Sequence, residues 1–144
     1  MAADPTITAA SVAATANTVT ATGVAGATIV AGNAVYADST ASGVIKPCTA
    51  LGVPASLLLA NCVGVALHGA LAGQPIVYAI SGNVTMPTLI AGTGYFLSTT
   101  TSGGYSDGTA LEATIGTVYA TFVGMAISTS VMKLAITPTQ VPNT

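Results

Sequence analysis

The sequence predicts an all-β protein, a β-sandwich or barrel built from two duplicated halves of about sixty residues, with an extended N-terminal arm. Three observations point there. Short runs rich in Val, Ile, Thr and Tyr are separated by Gly/Ser/Thr turns, and no apolar stripe of helical period is sustained. The third is self-similarity. Residues 28–43 return as residues 88–103, with Thr, Ala-Gly, Thr and Ser-Gly in register and an aromatic-bearing pair at Val35-Tyr36 and Tyr95-Phe96. A second block keeps the same offset of sixty positions, residues 60–67 matching residues 120–127. Two separated matches at one offset read as a tandem duplication, with repeat units at about 28–67 and 88–127.

In chain order, residues 1–22 form the arm. Thr and Val dominate and there is little to bury, so the segment is free to add as a strand to a partner's sheet edge or to lie as an edge strand of its own domain. The β domain spans residues 23–137. Residues 34–38 suit a strand, 39–43 carry turn chemistry, and 44–48 read as the returning strand. Residues 52–59 fit either one or two helical turns or a buried connection. Residues 62–67 form an apolar strand in which Gly64 marks a bulge or a close backbone approach, and Gly124 repeats the feature. Residues 74–80 and 84–86 read as a hairpin turning at Gly82-Asn83. Unit two follows the same plan, with strands at 94–98, 118–127 and 131–136 and a turn at 102–104. Residues 138–144 are a proline-punctuated extended tail.

Composition narrows function. At 144 residues the chain is one domain, able to bury roughly 70% of its unfolded surface. Only 4% of residues are charged, against about 25% in typical domains. The side-chain cations are Lys46 and Lys133, too few to neutralise a run of phosphates, which excludes nucleic-acid binding. Mean hydropathy is +0.77. Yet the most membrane-like stretch, residues 53–73, holds Pro54, Asn61 and His68 and lacks flanking Lys or Arg, which argues against a membrane span. The N-terminus has no secretory pattern, so the chain is expected to be made and used without secretion.

Candidates for chemistry are few. His68 is the only imidazole; as a general base it needs an acid and a nucleophile, and only Asp38 and Asp107 are available at a distance. No nucleophile elbow or phosphate-cradling Gly loop is present, and four acidic residues make a paired-carboxylate hydrolase improbable. The chain therefore reads as no enzyme, with no catalytic, cofactor or metal residues. Cys48 and Cys62 read as two buried thiols, with a disulfide between them as the alternative; a metal site lacks further ligands. Asn83-Val84-Thr85 matches a glycosylation sequon but has a turn explanation. Tyr36, Tyr78, Tyr95, Tyr105 and Tyr119 fit core or interface packing better than a sugar-binding platform.

The Ala/Thr/Gly/Val bias, the phrases at residues 72–77 and 90–98, and the closing Val123-Gly124-Met125-Ala126-Ile127 together resemble head decoration (cement) proteins of tailed bacteriophages over residues 24–136. The resemblance implies a non-enzymatic homotrimer in the virion. It would sit on the outer capsid surface, bind the major capsid protein and clamp neighbouring capsomers, often through a terminal arm. Residues 1–22 match that arm in character, making Thr6, Ile7, Val12 and Val19 the expected capsid contacts. The alternatives are another self-assembling virion part (fibre, tail or surface-layer subunit) or a carbohydrate-binding module.

Overall fold

The computed structural model describes residues 7, 11–48, 61–86, 88–98, 103–106 and 119–142; side chains are described in these ranges except at 119, 120 and 138–142. The fold is all-β, a curled antiparallel sheet with the form of a half-barrel. Its strands are β1 (Ala13–Ala14), β2 (Val19–Val24), β3 (Ala34–Asp38), β4 (Val44–Pro47), β5 (Gly64–Ala66), β6 (Pro75–Thr85), β7 (Gly94–Leu97), β8 (Tyr105–Ser106), β9 (Tyr119–Ala126) and β10 (Val131–Pro142). Along the sheet the order is β4-β3-β5-β6-β10-β9-β7-β8, and β1 and β2 both pair with β6. No helix among the described residues is long and apolar enough to cross a membrane.

Two ladders share one plan. Ala34 pairs with Val65 and Val35 with Gly64; sixty positions on, Gly94 pairs with Met125 and Tyr95 with Gly124. Tyr36 opposite Lys46 and Ala37 opposite Ile45 have counterparts in Phe96 opposite Ser106 and Leu97 opposite Tyr105. The turn before each ladder closes in the same way: Gly32 N–H donates to the Ala66 carbonyl at 2.8 Å and Gly92 N–H to that of Ala126 at 2.7 Å. Both glycines have positive φ, 91° and 83°, where a β-carbon is strained. Gly64 and Gly124 answer the close-approach reading. A β-carbon would lie 2.5 Å from the Ala79 carbonyl oxygen at Gly64 and 2.4 Å from that of Lys133 at Gly124.

The curl comes from β6, which carries different neighbours along its length. Its first part lies between β2 and β5, and its last part between β1 and β10. The Gly82-Asn83 signal marks no hairpin, because the strand runs straight through it. Gly82 (φ 84°) instead lets the strand approach Asn17, whose carbonyl oxygen would stand 2.1 Å from a β-carbon there. The Asn17 side chain then accepts the Asn83 N–H at 3.1 Å. A register shift between Val19 and Thr20 accommodates the bend. Of the expected extended tail, residues 138–142 are the last part of β10, which pairs with β9 as far as Pro142 opposite Tyr119. A register shift falls between Pro138 and Pro142, where missing proline N–H groups cost the ladder least.

Alternation along β3 creates two cores. Val35 faces one, with Ala25, Ile29, Ile45, Ala66, Ala70 and Ile76. Ala34 and Tyr36 face the larger one, with Val65, Ala79, Tyr95, Leu97, Tyr105, Val123 and Met132 among others. The strands β3 and β5 are thus buried on both sides, which is why they read as short apolar runs rather than alternating ones. The smaller core is closed where Ala25 bridges Ile45 in parallel, with Gly26 N–H donating to Ile45 at 2.8 Å. Gly103 ties the larger one: its N–H donates to Cys48 (2.6 Å) and its carbonyl accepts from Ala34 (2.9 Å). The buried Tyr105 hydroxyl adds a 2.6 Å bond to the Gly32 carbonyl.

Candidate functional site

His68 stands at the start of the turn between β5 and β6, exposed. Its Nε2 accepts the Val77 N–H at 3.0 Å, and its Nδ1 lies 2.9 Å from the Gly69 carbonyl oxygen. These partners assign the proton to Nδ1 and occupy both nitrogens, so the imidazole fastens a turn to a strand. Neither contact is an acid or a nucleophile.

Asp38 ends β3 and is committed locally. Its carboxylate accepts from Lys46 Nζ at 2.8 Å and from the Thr40 N–H at 2.9 Å. These bonds, the one from Lys46 foremost, hold its pKa down to about 2, and the carboxylate in turn raises that of Lys46. The pair pins the β3–β4 turn. Asp107 lies outside the described residues. No cluster of three or more His, Cys, Asp or Glu with metal-holding geometry exists among the described residues.

The tyrosines fall mostly inside. Tyr36, Tyr95 and Tyr105 are buried, and the Tyr95 hydroxyl accepts the Ile90 N–H at 3.0 Å. Burial, then the neighbouring Asp38 charge, raises the Tyr36 phenol; burial pushes Tyr105 far up. Tyr78 packs partly buried on the smaller core. These rings form no open platform for a sugar. A shallow hollow lined by Thr28, Ile29, Gly69, Ala70, Leu71 and Gln74 carries no charged group. Its Gln74 side chain is already spent on the Leu71 N–H at 2.8 Å.

The expected contact residues are dispersed. Thr6 is outside the described residues. Ile7 packs partly buried against the larger core, and Val12 is only 8% exposed within it. Residues 13–24 take the edge-strand alternative, as β1 and β2 on β6. Among the three described, Val19 alone is open, 50% exposed on β2.

What remains is surface. The exposed large apolar side chains include Val19 and Val24 on β2, Val30 and Ile90 at matching turns, Ile80 on β6, and Met125 and Ile127 at the end of β9. Beside the last group, Phe96 and Phe122 meet edge to face at 5.4 Å between centroids. The charges described are the Asp38–Lys46 pair and the exposed Lys133. Sequence reasoning missed Ile90, Met125 and Ile127 because hydrophobicity alone does not say which face of a strand is covered. No family model, curated protein or solved structure matches the chain.

Proposed function

We propose that this chain is a non-enzymatic structural protein that binds the outer surface of a viral capsid as a homotrimer and clamps neighbouring capsomers. The observation that carries the reading is the surface: aliphatic side chains stand open on strands that bear almost no charge. Such a surface on a free monomer invites association, and a closed symmetric assembly removes the liability. The sequence resemblance supplies the particle.

Two duplicated halves fit this reading, and the shared registers at Gly64 and Gly124 support them. A clamp needs one surface for its own copies and one for the shell. We assign the first to the outer face of β7 and β9, around Met125 and Ile127, and the second to β2 with the residues before it, around Val19 and Val24. The test is incubation of purified protein with undecorated heads, followed by co-sedimentation and electron microscopy. Saturable binding at three-fold positions is the expected result; binding to fibres or tails instead would favour a different virion part.

A further inference from the structure

Leu67 and Val77 extend the β5–β6 ladder by one pair beyond Ala66 and Tyr78, the Leu67 N–H donating to the Val77 carbonyl at 3.0 Å. In a regular antiparallel ladder the Val77 N–H would return that bond to the Leu67 carbonyl, since such pairs exchange both. It goes instead to His68 Nε2, at 3.0 Å. A titratable ring thus stands in for a backbone acceptor at the end of the ladder. The second ladder has no such ring. The Ile127 N–H donates to the Val131 carbonyl at the same 3.0 Å, but Ser128 holds the place of His68, and its hydroxyl accepts the Ser130 N–H at 3.2 Å. Residues 128–130 suffice to join that pair, whereas the longer run 68–76 joins Leu67 to Val77. The longer connection reaches the smaller core, where buried Ala70 and Ile29 exchange backbone bonds of 2.9 and 2.8 Å.

We propose that His68 is a proton-operated tie between β6 and the loop of residues 68–76, closed while the imidazole is neutral and released when it is protonated. The tie depends on one lone pair. Nδ1 directs its proton to the Gly69 carbonyl at 2.9 Å, which leaves Nε2 as the acceptor. A proton added at Nε2 sets two N–H donors against each other, one on the ring and one on Val77, and no bond forms between them. The Nδ1 contact survives, because the charged ring still donates there. Histidine is the side chain that changes charge within about pH 5–8, and His68, being exposed, meets solvent protons without any opening of the fold. The elements around it bring no opposing charge. β2, β5, β6 and residues 28–33 and 69–74 carry no carboxylate or ammonium, and Tyr78 on β6 is their one titratable side chain. Beyond them, Asp38 and Lys46 on β3 and β4 are bonded to each other at 2.8 Å. The bond to Val77 is therefore present at the higher pH and lost as pH falls. The Ile29–Ala70 pair does not titrate and holds the middle of the loop, so release is confined to the end of the ladder.

The experiment is amide hydrogen exchange on the full-length chain, read residue by residue by NMR from about pH 8 to about pH 5. Each rate is divided by the intrinsic rate for that residue and pH, and the His68 ring is titrated in the same samples. Protection of the Val77 amide is expected to fall about tenfold, the worth of one such bond, with the midpoint of the ring's own titration. The Ile29 and Ala70 amides should keep theirs. Ring nitrogen shifts should report the proton on Nδ1 at the higher pH, a readout that needs no variant. His68→Phe should leave the Val77 amide poorly protected at every pH. Protection of Val77 that does not follow the ring's titration, a neutral ring protonated on Nε2, or an unchanged pH dependence in His68→Phe overturns the proposal.

Discussion

β5 and β9 hold matching places in their ladders, yet they meet different surroundings. Gly64 and Gly124 each lie against a neighbouring carbonyl at nearly the same distance, and the residue after each faces the same side of its strand. On β5 that residue, Val65, is fully buried; on β9 it is Met125, 47% exposed. Val65 is covered because Tyr95, Leu97 and Tyr105 share its core, the second ladder curling over the first. Met125, with Ile127 and Ile90 at 53% and 62% exposed, is not covered to that degree. One ladder is thus completed by its own chain. The other keeps an apolar face whose burial on a partner would gain on the order of 1 kcal/mol or more per side chain.

The sharpest way to break the comparison is a charge at each position. Val65→Asp should abolish folding, since it buries an unpaired carboxylate. Met125→Asp should leave the melting temperature within a few degrees but prevent assembly of the proposed trimer, as read by light scattering. Equal effects of the two would show that the faces do not differ as described.

Next in size are the glycines. Gly64→Ala and Gly124→Ala should each destabilise by about 2–3 kcal/mol in chemical denaturation, because the added carbon meets backbone rather than a yielding side chain. A neutral result at either position would separate ladders that share a register.

Tyr105→Phe should cost about 1–2 kcal/mol by leaving the Gly32 carbonyl without its buried donor, loosening the contact that draws the second ladder to the first. The smallest effect is at Asp38. Its folded pKa lies below its ordinary value, so its contribution to stability is present above about pH 4 and fades as pH falls through about 2. Asp38→Asn should flatten the acid limb of a melting-against-pH profile by a small amount.

Much of the fold was legible because its signals are local. The turn at 39–43, the turn glycine Gly103 and the strands beside them follow from residue type and alternation. Gly82-Asn83 misled because a glycine with positive φ serves a bulge as readily as a hairpin, and only the approach of Asn17 from far along the chain decides. The N-terminal strands were ambiguous for a related reason: nothing within 13–24 says whether the β6 edge that accepts them is its own. The candidate site was least legible. Exposure of Met125 depends on what the rest of the chain covers, a property of packing that no local pattern carries.

The most direct test of the central claim is the mass of the full-length protein in solution, measured before and after incubation with undecorated heads. The account predicts a trimer at micromolar concentration that moves quantitatively into the head pellet until a fixed number of sites is filled. A stable monomer that remains in the supernatant would contradict it.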